Sequence, residues 1–124
     1  MTIEFNHRGR TYQMVFQDHS GGYSNLGTIR LLVKGSCEPI ATIVADKFGA
    51  CREVHSLTVV PSERNKRYGT LFLTKLFEFY KHIGVRVVVL QSISSNHHAT
   101  KLYTNMGMSR IQSSVLTFYW SKEL

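Results

Sequence analysis

Cysteine is scarce: Cys37 and Cys51 are the only two in 124 residues. They make no disulfide framework, and nothing else points to export, so they read as reduced thiols in or near a core. Acidic residues are scarce as well. Eight Asp and Glu stand against fifteen Lys and Arg, for a formal net charge of +7 and a pI near 9.7. Such a surface suits an anionic partner and argues against polycationic substrates such as polyamines. No apolar run is long enough to span a bilayer, and Met1-Thr2-Ile3-Glu4 does not open a secretory signal. The expectation is a cytoplasmic protein with no membrane partner. Repeats, low-complexity tracts and linkers are missing, which leaves a single domain over 1–124. Helix-turn-helix and RNP-type aromatic patterns are also missing, which counts against a nucleic-acid-binding domain. His97-His98 has no partners at metal-ligand spacing, so no metal is expected.

What is present is organised around residues 59–107. The stretch Val59-Val60-Pro61-Ser62-Glu63-Arg64-Asn65-Lys66-Arg67-Tyr68-Gly69-Thr70 reads as a strand, a tight basic turn and the start of a helix. Ser62 is placed to cap that helix, which then begins near Glu63 or Arg64 and runs to residue 83. Tyr68, Phe72, Leu76, Phe79 and Ile83 recur every three or four residues, with Leu73, Phe77 and Tyr80 widening a core-facing stripe. Gly84 ends the helix. Residues 85–90 form a near-continuous apolar run, as in a strand buried on both faces, and residues 97–104 a second helix. Strand, helix and strand at this length form a right-handed crossover.

Upstream, residues 2–6 and 11–17 flank His7-Arg8-Gly9-Arg10 as a hairpin, and residues 18–25 read as a polar loop. Residues 27–33, 39–46 and 52–60 follow as a three-strand meander. Residues 109–112 and 115–120 make a last hairpin. A helix opening straight after a turn presents free N–H groups and a positive dipole end, which is a cradle for a pyrophosphate.

Two motifs in this region resemble the GNAT superfamily of N-acetyltransferases. The family's cofactor motif is Arg/Gln-x-x-Gly-x-Gly/Ala after a strand ending in Val-x-Pro. Here Val59-x-Pro61 leads into Arg64-x-x-Arg67-x-Gly69-Thr70, with Arg67 in the place of the first glycine. The family's second motif, Asn-x-x-Ala-x-x-x-Tyr-x-x-x-Gly-Phe, is matched by Asn96, Ala99, Tyr103 and Gly107, with Met108 in place of Phe. The resemblance covers roughly residues 52–110. It implies an α/β (α+β) fold: a mixed, mainly antiparallel twisted sheet of about six to seven strands with two main helices. The family's usual first two helices have no room between residues 18 and 25.

The resemblance also implies acetyl-CoA as acetyl donor. Arg64, Asn65, Lys66, Arg67, Tyr68, Gly69 and Thr70 would hold its phosphates. The backbone of Leu57, Thr58 and Val59, with Asn96 and Ala99, would hold its arm, and Tyr103 would be the acid that meets the leaving thiolate. A base is needed because an amine of pKa near 10.4 is neutral in only about one molecule in 2,500 at pH 7. Glu53 and His55 are two apart on a strand, share a face, and are both candidates. The segment from Glu53 to Val59 is similar to the matching strand of arylalkylamine N-acetyltransferases, which carry histidine at both positions. Two readings stay open. One is an acetyl-CoA-dependent N-acetyltransferase acting on an unidentified amine, with a protein or an aminoacyl-tRNA among the candidates. The other is a catalytically degenerate module that binds CoA or a protein partner. A second subunit is a candidate for the missing helical cover, through the final hairpin edge.

Overall fold

Alternating apolar and polar residues build one eight-stranded sheet in the computed structural model, which describes residues 1–19 and 25–124. β1 (Thr2–His7) and β2 (Arg10–Asp18) form the first hairpin. β3 (Leu26–Val33), β4 (Ala41–Phe48) and β5 (Cys51–Val59) continue the meander. Helix α1 (Tyr68–His82) crosses over to β6 (Val87–Ile93), followed by α2 (His97–Asn105), β7 (Ser109–Ser113) and β8 (Thr117–Glu123). The strand order is β1-β2-β3-β4-β5-β6-β8-β7, and among the described residues only the β5–β6 pair is parallel. This is the expected mixed sheet with two main helices. It has eight strands rather than six or seven because both terminal hairpins join the same sheet.

The pairing register separates the two faces. Rows such as Met14, Leu31 and Ala41, and Ala45, Val54, Leu90 and Trp120, put their side chains on one face, where they are buried. Both helices pack there. α1 contributes Phe72, Leu73, Leu76, Phe77 and Tyr80, and α2 contributes Tyr103, to the same core as Val54, Leu90 and Trp120. The opposite face carries Arg30, Thr42 and Thr58 in one row, and Asp46, Glu53, Val89 and Ser121 in another. Among the described residues no helix covers it. β2 ends at Asp18 and β3 begins at Leu26, so the family's usual helical pair has no length to form; residues 20–24 of the expected loop lie outside the described residues.

Four local expectations are corrected. Ser62 does not cap α1: residues Pro61–Glu63 close a 3₁₀ turn, and the helix starts at Tyr68 after Arg67. Proline fixes φ for a tight turn, and that turn uses Ser62 before the helix opens. Ile83 leaves the core stripe and is half exposed, because the helix ends there. Gly84 (φ 90°) completes a Schellman motif in which the N–H of Gly84 donates to Lys81 and that of Val85 to Tyr80. Residues 85–90 are not buried on both faces: Val88 and Leu90 are buried, whereas Val87 and Val89 look onto the uncovered face. Cys37 is exposed rather than near a core, while Cys51 is half-buried, and both are free thiols.

Candidate functional site

β5 and β6 pair only from Cys51–Val87 to Val54–Leu90. β5 nevertheless runs on to Val59, still paired with β4, and β6 to Ile93, still paired with β8. The two strands therefore part beyond Val54 and Leu90, leaving a wedge whose facing backbone edges are unpaired. The turn after β5 brings the start of α1 to this wedge.

That helix start is built from an uncommon backbone. Asn65 and Arg67 both have φ of 64°, and Arg67 occupies the N-cap position without a side-chain capping bond. The first intrahelical acceptor is the Arg67 carbonyl, which takes the N–H of Leu71 at 3.1 Å. The N–H groups of Tyr68, Gly69 and Thr70 have no acceptor among the described residues, so they are free to meet an anion. Gly69 has a steric reason to be glycine. A Cβ there would stand 3.2 Å from Leu102 Cδ2 and 3.8 Å from Leu57 Cδ2, where α1, α2 and β5 converge. Arg64 ties the turn back to the strand, donating from Nε to the Val59 carbonyl at 3.1 Å, and Lys66 pairs with Glu63 at 3.1 Å.

A groove of about 610 Å³ extends from the helix start towards the β1–β2 turn, lined by Arg8, Arg10, Lys66, Arg67, Thr70 and Lys75 among others. Lys66 and Lys75 are matched by Glu63 and Glu78, but Arg8, Arg10 and Arg67 have no carboxylate partner among the described residues. The Tyr12 and Tyr68 hydroxyls meet beside it at 3.4 Å, and this bond, with some burial, raises the Tyr68 pKa.

On α2, Asn96 caps the helix: its Oδ1 accepts the Ala99 N–H at 3.1 Å. Its amide NH₂ stays available. Tyr103 is 7% exposed and stacks edge-on against Trp120 at 5.8 Å. Burial raises its pKa, so the hydroxyl is protonated at neutral pH. That hydroxyl has no hydrogen-bond partner among the described residues. Since no buried side-chain oxygen there lacks one, its tip reaches the surface.

The base candidates lie on the uncovered face. β4 pairs Val44 with Ser56 and Ala45 with Val54, so His55 is an extra residue, a bulge in β5. The bulge returns Leu57 and Val59 to the helix-covered face and leaves Thr58 exposed on the other. Glu53 pairs across the strands with Asp46, and one ligand atom from each of Asp46, Glu53 and His55 lies within 4.8 Å of the others. His55 Nε2 is 2.5 Å from Asp46 Oδ2.

Glu53 and His55 are thus together, as their spacing predicts, and residues 64–70 form one turn beside residues 57–59. Asn96, Ala99 and Tyr103 share α2. Two groups escape sequence reasoning. Asp46 belongs to the Glu53–His55 cluster through strand pairing alone. Arg8 and Arg10 reach the helix start because the first hairpin folds alongside α1; their only sequence signal is a basic turn.

The Acetyltransferase (GNAT) family matches residues 4–108. No curated protein matches the sequence. Among solved structures, the GNAT domain of S. lividans PAT superposes with a TM-score of 0.76 at 13% identity, over 99% of this chain and 97% of that one. The ribosomal-protein-S18-alanine N-acetyltransferase from Escherichia coli gives 0.72 at 16% identity, over 84% and 71%. The PaiA N-acetyltransferase from Thermoplasma acidophilum, solved with coenzyme A, gives 0.71 at 16% identity over 81% of this chain; the match spans 62% of that protein. At these identities the likeness is one of fold.

Proposed function

This chain belongs to the GNAT family of acetyltransferases, and from that premise we propose that it transfers the acetyl group of acetyl-CoA directly to an amine. The observation that carries the reading is the wedge between β5 and β6, opening beside the unpaired N–H groups of α1. The coenzyme fits this arrangement. The N–H groups of Tyr68, Gly69 and Thr70 would hold its pyrophosphate, and Arg67, which lines the adjoining groove, would add its charge. At the open strand edge Leu57 and Val59 offer backbone bonds to the amides of the coenzyme's arm, although the Val59 carbonyl already accepts from Arg64; Thr58, expected to join them, turns its backbone to Thr42 on β4, and the Asn96 amide is a further donor. Coenzymes were bound in several of the fold relatives, among them the complex of Arabidopsis thaliana NAA60 with acetyl-CoA.

The acceptor amine approaches from the uncovered face, where Glu53 and His55 stand. One of them takes a proton from the ammonium, and the freed lone pair attacks the thioester carbonyl. As the carbon–sulfur bond breaks, the Tyr103 hydroxyl gives its proton to the thiolate, and the second proton that the nitrogen sheds on becoming an amide restores the phenol. No metal is invoked. An open face suits a protein side chain, a protein N-terminus or an aminoacyl-tRNA better than a small enclosed amine. A second copy of the chain, docked on the β7–β8 edge where Val115 and Leu116 are exposed, would supply a cover. A cytoplasmic acetyl-CoA pool would supply the donor.

Calorimetry with acetyl-CoA on the wild type and on Gly69→Val tests the first step. Micromolar binding that the variant abolishes is expected, and absence of binding to the wild type would refute the reading. In Tyr103→Phe, binding should persist while transfer falls by about 10²-fold or more; unchanged transfer would remove Tyr103 from the mechanism. One observation favours the rival reading of a degenerate binding module: Arg67 holds a left-handed backbone where glycine would be at ease. Binding without turnover on any amine would select it.

A further inference from the structure

We infer that Asp46 is a positioning residue: it fixes the His55 ring so that Nδ1 faces the acceptor as the base. This rests on the transferase reading above. The bulge in β5 sets where the ring lies. In a regular strand His55 and Ser56 would point to opposite faces. With His55 as the extra residue, both belong to the uncovered face, and the imidazole is swung over towards β4. It meets Asp46 there, Nε2 to Oδ2 at 2.5 Å, with the two side chains 39% and 20% exposed.

An ionised carboxylate can only accept, so Nε2 carries the hydrogen, and in a neutral ring Nδ1 then holds the lone pair. His55 makes no other hydrogen bond among the described residues, which leaves Nδ1 open. The step balances simply: an N–H bond of the acceptor ammonium breaks, an Nδ1–H bond forms, and the amine keeps the electron pair for attack on the thioester. The resulting imidazolium has both carboxylates near it, one oxygen each of Asp46 and Glu53 lying within 4.8 Å of a ring nitrogen.

Among the described residues no lysine or arginine pairs with these carboxylates. Lys47, next to Asp46, pairs with Asp18 at 3.0 Å. Arg52, next to Glu53, lies over the Tyr80 ring on the helix-covered face and donates to the carbonyls of Gly49 and Cys51. The strand neighbours are uncharged: Leu26 on β3 opposite Asp46, and Val89 on β6 opposite Glu53. The cluster is a net negative patch on a protein of charge +7, which is the local complement of an arriving ammonium.

The test has two arms. The first is the ¹⁵N NMR signature of the His55 ring near neutral pH in the wild type, Asp46→Ala and Asp46→Glu. The Nε2–H form should dominate in the wild type, give way to mixed tautomers in Asp46→Ala, and return in Asp46→Glu. The second arm is acetyl transfer to a peptide panel carrying free α-amines and lysines. Asp46→Ala should lose about 10-fold or more in kcat, His55→Ala about 10²-fold, with KM for acetyl-CoA unchanged in both and Asp46→Glu partly restored. Circular dichroism should show all variants folded, since a partly exposed side-chain pair contributes little to the fold. A wild-type ring without the Nε2–H form, or one indifferent to Asp46→Ala, overturns the positioning role. An Asp46→Ala enzyme with undiminished kcat overturns its catalytic consequence. A wild type that neither binds acetyl-CoA nor acetylates any peptide refutes the transferase reading itself, and with it the base role, whatever the ring's tautomer.

Discussion

Replacing Arg67 with glycine should stabilise the protein. Arg67 stands at φ 64° and ψ 23°, with no side-chain capping bond and no carboxylate partner among the described residues. In the left-handed region a Cβ crowds the backbone, at a cost of about 1–2 kcal/mol per residue. Glycine removes that crowding but adds about 0.4–1 kcal/mol of unfolded-state entropy to be lost on folding. The net gain is about 0.5–1 kcal/mol, and for a chain of this size that corresponds to a rise in Tm of about 2–4 °C. The discriminating control is Arg67→Ala, which removes the same guanidinium and keeps the Cβ. Thermal and urea unfolding followed by circular dichroism should place Arg67→Gly clearly above Arg67→Ala, and Arg67→Ala near the wild type. If the two variants unfold together, residue 67 is not left-handed in solution and the strain argument is wrong. Calorimetry on the same pair separates two routes to the coenzyme. Loss of affinity in both variants means the guanidinium holds phosphate, and loss in Arg67→Ala alone means that close backbone approach matters more.

Two further outcomes follow from packing and charge. Burial pushes the Tyr80 pKa up to about 12 from its ordinary 10.0, against the opposing Arg52 guanidinium, so the folded state holds this proton more tightly than the unfolded chain. The linkage therefore leaves stability level below about pH 10 and erodes it between pH 10 and 12, by up to about 2–3 kcal/mol from this residue. Urea titrations across that range should show a shallower alkaline fall in Tyr80→Phe; an identical fall would mean the hydroxyl is not desolvated. At Gly69, alanine asks only the Leu102 terminal methyl to give way, and should change stability by less than about 1 kcal/mol. Valine drives α1 from α2 and should cost about 1–3 kcal/mol, read in the same urea experiment; equal tolerance of both would show the helices are not in contact there.

Much of the fold is visible in the residues because its signals are local. The alternation in the first three hairpin-linked strands, the α1 stripe and Gly84 each act within a few residues, and the elements appear where these signals are. The α1 start misleads because Ser62 followed by Glu63 imitates a capped helix, while the proline before them favours a separate 3₁₀ turn. The site divides in the same way. Asn96, Ala99 and Tyr103 sit at helical spacing on one element and can be read directly. Asp46 cannot, because its distance to His55 is set by a bulge, and a bulge exists only once two strands have chosen a register. Arg8 and Arg10 are hidden for a related reason: their nearness to Arg67 depends on how a hairpin lies against a helix more than fifty residues away.

The parted strands have a mechanical consequence. β6 is joined to β8 by seven residue pairs but to β5 by four, all at one end. The sheet is thus two panels sharing a short seam, β1 to β5 on one side and β6, β8 and β7 on the other, with Tyr103, Trp120 and the two helices bridging above it. Such a seam is where cooperative unfolding divides first. A coenzyme arm lying in the wedge would lace the panels together, so amide exchange in β6 and β8 should slow when acetyl-CoA binds, far more than in β1 and β2. On the proposed reading, the opening that takes the donor and the weakest line of the fold are the same place, and the donor is the piece that would close it.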